Sequence, residues 1–224
     1  MGRTLTYKRP DGGEAGGYLA EAADAAAPGI VVIQEWWGVQ GQIKGVCDRL
    51  AGDGYHALAP DLYGGTVVPY HDMAAAEREM TSLDFAAATD QIVRGAARHL
   101  AGAGRKVGLT GFCMGGVVTI LGAIRVPEIA AAVCFYGIPP AGAADLTAIR
   151  VPFQGHFANL DTWCTPAEVD RLEVALKAAG TAYEIYRYDA DHAFMNEERP
   201  DVYKPEEAAL AWQRMLDFWR KHLS

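Results

Sequence analysis

A cysteine flanked by glycines two residues before and two residues after it is the best-placed nucleophile in the sequence. The segment Lys106-Val-Gly-Leu-Thr-Gly-Phe-Cys113-Met-Gly-Gly116 predicts an apolar strand, a tight turn and then a helix. The glycines allow strand and helix to approach without Cβ clashes, as a strained turn that presents a nucleophile requires. The helix N-terminus would favour a thiolate and an oxyanion, with the N–H of Met114 as its first donor. Alternatively, Cys113 is a small buried side chain in a glycine-rich turn.

Two later loops, each following a predicted strand, supply partners for that cysteine. His192 is a natural general base near neutral pH, and the carboxylate of Asp161 could orient its imidazole. The chain order Cys113, Asp161, His192 is the order of nucleophile, acid and base in α/β-hydrolases. Asp189 and Asp191 are rival acids, but they lie too near His192 in sequence to form a separate orienting loop. The alternatives are an aspartate bonded to its own turn and a surface or capping histidine.

The first buried strand ends in a carboxylate and two tryptophans, Glu35, Trp36 and Trp37. This loop is expected to supply the second oxyanion N–H, from Trp36. A glutamate beside the Cys113 thiol would raise the pKa of the thiol by charge repulsion or act as an alternative proton acceptor. Glu35 could equally be a solvated charge at a strand end, and both tryptophans could be core aromatics. The residues alone leave this choice open.

The elements that must position these residues alternate along the chain. Buried apolar strands are predicted over residues 30–34, 57–60, 107–110, 131–135, 151–157 and 183–188. Amphipathic helices are predicted over residues 42–52, 85–101, 117–124, 166–179 and 205–222, with a solvated helix within 71–84. This alternation predicts an α/β fold, with a mostly parallel central sheet and helices on both faces. One domain spanning residues 1–224 suffices.

Composition and charge limit the possible partners. The 224 residues are 50% hydrophobic and carry a formal net charge of −8, which argues against a nucleic-acid-binding surface. The N-terminus lacks the apolar core of a signal peptide, and the longest apolar run is too short to span a bilayer. The four cysteines form no CxxC pair, so reduced thiols are expected. A cytoplasmic protein without membrane partners is predicted, and a monomer is the simplest expectation.

The motifs resemble those of the dienelactone hydrolase family (carboxymethylenebutenolidase) over nearly the whole chain. The matching segments are Gln34-Glu-Trp-Trp-Gly38, Ala59-Pro-Asp-Leu-Tyr63, Gly111-Phe-Cys-Met-Gly-Gly116, the Asp161 loop, Asp191-His-Ala-Phe-Met-Asn196 and Ala211-Trp212. The resemblance implies an α/β-hydrolase fold and a Cys113–His192–Asp161 triad acting on an enol-lactone or similar small ester. It also implies that Glu35 contacts the resting thiol and takes its proton when substrate binds. No metal or organic cofactor is implied.

The resemblance also points to residues that would bind the substrate. The family uses two arginines to bind a substrate carboxylate, and one of these positions is Asn196 here, with Arg199 nearby. The other falls in the segment 71–84, where Arg78 is the one arginine and is equally well explained as a surface helix residue. Arg78, Trp37 and Asn196 are the substrate-binding candidates, and the departure at Asn196 makes dienelactone itself a doubtful substrate.

These observations predict a hydrolase that cleaves a small ester or lactone through a thioester acyl-enzyme. A competing hypothesis is a non-catalytic binding protein that keeps the fold and holds a small molecule. A third is a redox-responsive thiol protein, which requires a low-pKa thiolate at Cys113. The neighbouring Glu35 favours the opposite, a neutral resting thiol.

Overall fold

A computed structural model describes residues 1–102 and 104–224. Eight strands form one sheet in the order β1-β2-β4-β3-β5-β6-β7-β8. The strands are Arg3–Lys8, Glu14–Ala20, Gly29–Ile33, His56–Pro60, Val107–Phe112, Ile129–Phe135, Phe153–Ala158 and Tyr183–Tyr188, numbered β1 to β8. The pairings among β4, β3, β5, β6, β7 and β8 are parallel.

Helices pack on both faces of this sheet. They are Gly41–Gly52, Met73–Ser82, Phe85–Ala87, Arg94–Ala101, Met114–Arg125, Pro166–Ala179 and Pro205–Leu223, numbered α1 to α7. Helices α1 and α7 share one apolar cluster with one face, and α4, α5 and α6 cover the other face. The predicted fold class, a mostly parallel sheet with helices on both faces, is confirmed.

The largest difference from the sequence prediction is at the N-terminus. Strands β1 and β2 form an antiparallel pair, and β2 continues antiparallel onto β4. The alternating exposed and buried residues of β1 give a weak apolar signal, because an edge strand needs no continuous apolar run. A side chain at Gly17 would collide with the Ala59 carbonyl, so glycine permits the close approach of β2 to β4.

A single helix predicted over residues 85–101 is interrupted in the structure. Helix α3 passes into a π-helical segment, Ala88–Val93, before α4 continues. Asp84 caps the start of α3, since its carboxylate accepts the N–H of Ala87 at 2.9 Å. Apolar periodicity does not distinguish a π-turn from α-helix, so this feature has no visible sequence signal.

The parallel strands all point their carboxyl ends to one edge of the sheet. Residues following β3, β5, β6, β7 and β8 meet there, as ligand-binding residues do in open α/β sheets. The residues in question are Glu35, Cys113, Tyr136, Asp161 and His192. No helix in the described part of the chain has both the length and the apolarity needed to cross a bilayer.

Candidate active site

Cys113 occupies a strained turn between strand β5 and helix α5. Its backbone has φ 57° and ψ −118°, a conformation rarely adopted by a residue with a Cβ, and it directly precedes the helix. The residue is 8% exposed, so the sulfur is largely buried but reachable. This is the strand–turn–helix geometry predicted for a nucleophile elbow.

Glycines on both sides of the turn make this conformation possible. A Cβ at Gly115 would lie 2.5 Å from the Ile33 carbonyl oxygen and 2.6 Å from that of Gln34. A Cβ at Gly137 would collide with the carbonyl oxygen of Cys113 itself. Because these neighbours are backbone atoms that cannot rotate away, the first turn of α5 can pack on β3 only with glycine there.

His192 and Asp161 are joined by a short hydrogen bond. The imidazole Nδ1 lies 2.6 Å from Asp161 Oδ2, and the aspartate side chain is fully buried. The other oxygen, Oδ1, accepts the backbone N–H groups of Trp163 at 2.8 Å and Cys164 at 2.9 Å. These bonds fix the carboxylate, and the carboxylate in turn orients the ring, as an orienting acid must. The rival acids, Asp189 and Asp191, are both exposed.

The surroundings of His192 favour its protonated form. Burial by itself disfavours the charged ring, but the Cys113 sulfur and the Asp161 carboxylate outweigh it and raise the pKa of His192 to about 10. The ring is held edge-on by Tyr136 and Trp163, each with its centroid 5.1 Å away. A protonated imidazole at this position can donate a proton to a leaving oxygen.

Cys113 and His192 line one cavity of about 450 Å³. Trp36, Trp163 and Arg199 contribute to the same wall. Within residues 1–102 and 104–224, no bond of full hydrogen-bond geometry joins the Cys113 sulfur to His192. Both residues line the same cavity, and the sulfur is the largest of the influences that raise the pKa of His192.

The two expected oxyanion donors lie next to the nucleophile. The Met114 N–H is the first of helix α5, and Trp36 lines the cavity together with Cys113. In the part of the chain that the structure describes, neither N–H donates to another residue. Both N–H groups are therefore available to donate hydrogen bonds to an oxyanion.

Glu35 is buried, and both of its carboxylate oxygens accept hydrogen bonds. Asn196 Nδ2 donates to Oε2 at 2.9 Å, and the Tyr136 hydroxyl donates to Oε1 at 3.3 Å. Burial is the largest influence on the carboxyl, and it raises the pKa of Glu35 above its ordinary value. The resemblance implied a contact between Glu35 and the Cys113 thiol. Among the described residues, the side-chain hydrogen bonds of Glu35 are made by Tyr136 and Asn196 instead.

Backbone strain is concentrated at this site. The non-glycine residues with positive φ in the described chain are Cys113, Tyr136 at φ 37° and Ala193 at φ 65°. Tyr136 contacts both Glu35 and His192, and Ala193 follows His192 directly. Strain of this kind persists only where surrounding contacts impose it, which is typical of functional sites. The contacts of Tyr136 and Trp163 with His192 were not predicted from the sequence, since neither residue belongs to a recognisable motif.

The three substrate-binding candidates lie outside the cavity. Asn196 is fully buried and bonded to Glu35, so it cannot contact a ligand in the cavity. Trp37 is 2% exposed and packs edge-on against Tyr70, which makes it the core aromatic of the alternative interpretation. Arg78 is exposed on α2 and does not line this cavity. Arg199 supplies the cavity with a guanidinium instead.

No cluster of three or more metal-ligating side chains occurs among the described residues. The residues at this sheet edge offer nucleophilic, acid–base and hydrogen-bonding groups. It can support addition to a carbonyl carbon, with an oxyanion next to the N-terminus of α5.

Residues 15–223 match the dienelactone hydrolase family. The chain belongs to this family. A relative from Aquifex aeolicus named "Putative carboxymethylenebutenolidase" is 31% identical over the full length of both chains. "Protein usf" from Aquifex pyrophilus is 33% identical, also over the full length of both. The crystal structure of a "Putative Dienelactone Hydrolase" from Klebsiella pneumoniae superposes with a TM-score of 0.86 at 30% identity, covering 99% of this chain and 100% of that one.

Family membership confirms two predictions made from the sequence. The resemblance to dienelactone hydrolases is confirmed, and so is the enzyme class, an ester hydrolase. The dienelactone hydrolase match spans the segment containing the elbow, the Asp161 loop and the His192 loop. The substrate and the roles of individual residues belong to the proposal that follows.

Proposed function

We propose that this protein hydrolyses a small ester or lactone through a Cys113–His192–Asp161 triad. The observation that carries the proposal is the 2.6 Å Asp161–His192 hydrogen bond at the wall of the cavity that also contains Cys113. The strained elbow beneath the sulfur supports the same role, because it presents the nucleophile to that cavity.

In the first half of the reaction, the Cys113 thiolate attacks the carbonyl carbon of the ester. The carbonyl π electrons move to the oxygen, and the N–H groups of Trp36 and Met114 stabilise that oxyanion. Collapse of the tetrahedral adduct breaks the bond to the alkoxy oxygen, which takes a proton from the His192 imidazolium. An alcohol, or the ring-opened enol of a lactone, and a thioester on Cys113 result.

In the second half, His192 acts as the base. Its imidazole takes a proton from water, the hydroxide adds to the thioester carbon, and the same N–H groups stabilise the second oxyanion. Expulsion of the thiolate releases the carboxylic acid and restores the Cys113–His192 pair. Asp161 holds the ring throughout and stabilises the imidazolium. No metal or organic cofactor takes part in this scheme.

Glu35 has a positioning role in this proposal. Its carboxyl bonds Tyr136 and Asn196, which flank His192 in space and along the chain. Burial raises the pKa of its carboxyl above the ordinary value, which favours the protonated form. Through these two hydrogen bonds Glu35 would hold Tyr136 and Asn196 in place, and Tyr136 in turn contacts the His192 ring.

Arg199 is the proposed binding group for an anionic part of the substrate. It lines the cavity beside Cys113 and His192, and its charge lowers the pKa of Glu35. Its guanidinium bonds Asp201, whose side chain is 64% exposed, so a substrate carboxylate could replace that partner at little cost.

The test is hydrolysis of p-nitrophenyl acetate by the wild type and by Cys113→Ala. We expect the substitution to lower kcat by at least about a thousandfold with the fold intact by circular dichroism, because the thioester cannot form. The matched control is Cys47→Ala, another buried cysteine, in α1 and away from the cavity. Retained turnover in Cys113→Ala would remove the cysteine from the mechanism, and tight binding without turnover in the wild type would favour a binding protein.

A further inference from the structure

A second, larger cavity of about 870 Å³ adjoins the one that contains Cys113. Met80 and Trp163 line both cavities, so the two spaces meet at these side chains. The larger cavity runs along α5 from Met114 and Val117, immediately after the nucleophile. A site that only had to hold a small lactone would not need this volume, which is that of a drug-sized ligand pocket.

The lining of the larger cavity is mostly apolar. Helix α5, the segment around α3 and the loop after β6 contribute Val117, Leu121, Leu83, Phe85, Ile138 and Pro139. Its two charged residues already have partners, since Arg125 pairs with Asp90 and Glu168 pairs with Arg171. The space therefore provides no free charge for a polar group, and burial of an apolar group there would be favourable.

The proton chemistry indicates which half of an ester enters the larger cavity. His192 must protonate the leaving oxygen. Because His192 lines the smaller cavity and not the larger one, the alcohol part of the ester belongs in the smaller cavity. Met114, next to Cys113, provides the oxyanion N–H and lines the larger cavity. The acyl chain, which extends from the carbonyl carbon away from the leaving group, then points along α5.

We propose that the physiological substrate is an ester with an extended apolar acyl group, bound in the larger cavity beyond Met80 and Trp163. This inference rests on the proposed function and names the substrate class for the same site. It makes Met80 and Trp163 the passage between the reacting carbonyl and the acyl chain. Leu121, which is half-buried on α5, then limits the length of that chain.

The first experiment compares p-nitrophenyl acetate, butyrate and octanoate. We expect kcat/KM to be at least about tenfold higher for the octanoate than for the acetate, because the added methylenes are buried. A series of acetates with lengthening alkyl alcohols should show no such rise. Equal kcat/KM across the acyl series, or a rise confined to the alcohol series, would overturn the assignment.

The second experiment fills the larger cavity. Leu121→Trp should lower the ratio of kcat/KM for the octanoate to kcat/KM for the acetate by at least about fivefold, because the larger ring occupies the space of the acyl chain. Ala143→Trp, on an exposed part of the same wall, provides a second variant in which the added ring need not disturb the core. The matched control is Val174→Trp on α6, at a side chain that is 70% exposed and lines neither cavity.

A binding measurement separates this inference from the proposed function. Octanamide and acetamide titrated into Cys113→Ala by calorimetry should show binding of the octanamide alone, weakened in the Cys113→Ala/Leu121→Trp double variant. If the wild type hydrolyses the acetate but octanamide does not bind, the acyl site is wrong and the hydrolase proposal stands. If octanamide binds but no ester is hydrolysed, the apolar site stands as a binding site and its assignment to an acyl group fails.

Discussion

At the scale of single residues, the two carboxylates of the site are each fixed by hydrogen bonds to both oxygens. Asp161 has one oxygen on His192 and the other on two backbone N–H groups, so it has a single arrangement available. Glu35 is similarly fixed by Tyr136 and Asn196. Arg199 is different, because its partner Asp201 is exposed and can be replaced by a ligand.

This difference predicts that Arg199 discriminates between charged and neutral substrates. With 4-acetoxybenzoate, whose leaving group carries a carboxylate, Arg199→Ala should lower kcat/KM by about tenfold, the effect of one charge-assisted hydrogen bond. With methyl 4-acetoxybenzoate, the neutral match, the change should stay within about twofold. Phenol release followed by absorbance gives both values.

Arg78→Ala is the matched control, since it removes an exposed arginine from α2. It should change neither substrate's kcat/KM by more than about twofold. Equal losses of kcat/KM for the charged and neutral esters in Arg199→Ala would show that the arginine acts through the shape of the cavity. A loss of kcat/KM for the charged ester in Arg78→Ala would instead indicate that α2 binds the substrate carboxylate.

At the scale of elements, the active site depends on how closely α5 packs on the sheet. The turn that carries Cys113 is tight because glycines remove side chains between the first turn of α5 and strands β3 and β6. The helix therefore brings its N-terminal N–H groups to the end of β5, next to the sulfur. A displacement of α5 would move both the nucleophile and an oxyanion donor.

Gly115→Ala should therefore damage stability and activity together. The added Cβ would meet two carbonyl oxygens of the β3 end, so we expect a loss of about 3 kcal/mol in the free energy of unfolding. We also expect kcat for p-nitrophenyl acetate to fall by at least about tenfold. Urea denaturation and steady-state kinetics measure the two effects.

Gly52→Ala is the appropriate comparison, because a Cβ at the end of α1 would meet no atom within 4 Å. This substitution should be neutral or slightly stabilising, as alanine is the better helix former. The packing explanation fails if Gly115→Ala proves as stable and as active as Gly52→Ala.

At the scale of the whole molecule, stability is linked to a histidine that the mechanism does not use. His156 is fully buried in β7, stacked on Phe135 with ring centroids 4.6 Å apart. Its nitrogens bond Tyr188 Oη at 2.7 Å and Gln154 Oε1 at 2.8 Å. Burial, helped by the charge of Arg214, lowers the pKa of His156 to about 3.

This histidine predicts acid sensitivity. In the unfolded chain His156 takes up a proton near pH 6.5, whereas in the folded protein it stays neutral down to about pH 3. Its contribution is therefore complete above pH 6.5 and is lost as the pH falls, by about 1.4 kcal/mol per pH unit. His192 adds little slope below about pH 5.5, because its pKa in the folded protein is raised to about 10 and it is protonated in both states there. Its small contribution nearer pH 6.5 is the same in the wild type and in a His156 variant.

Urea denaturation at pH 6.5 and pH 5 tests this linkage. The free energy of unfolding of the wild type should fall by about 2 kcal/mol more than that of His156→Gln over this interval. Most carboxylates remain ionised in this range, so they contribute little to the difference. Parallel curves for the two proteins would show that His156 is not the group responsible.

Much of this architecture was predictable from local sequence. The β8 and α6 ranges agree with the structure residue by residue. The tyrosines and isoleucine of β8 favour a strand, and Thr165 and Gly180 cap the two ends of α6, so both signals are local. The β1–β2 pair and the π-turn had no comparable signal, since edge pairing and backbone register depend on neighbours distant in sequence. A single domain, a monomer and a cytoplasmic location remain predictions.

The sequence by itself determined the reactive groups, their order and the sheet edge at which they meet. Residue types and glycine spacing are sufficient for that, because parallel strands must bring their carboxyl ends together. Only the tertiary structure decided that Asn196 bonds Glu35. It also decided that Arg199 and not Arg78 lines the cavity with Cys113, and that a second, apolar cavity lies next to the first at Met80. These features depend on the directions of side chains from separate loops, which chain packing fixes and local sequence does not.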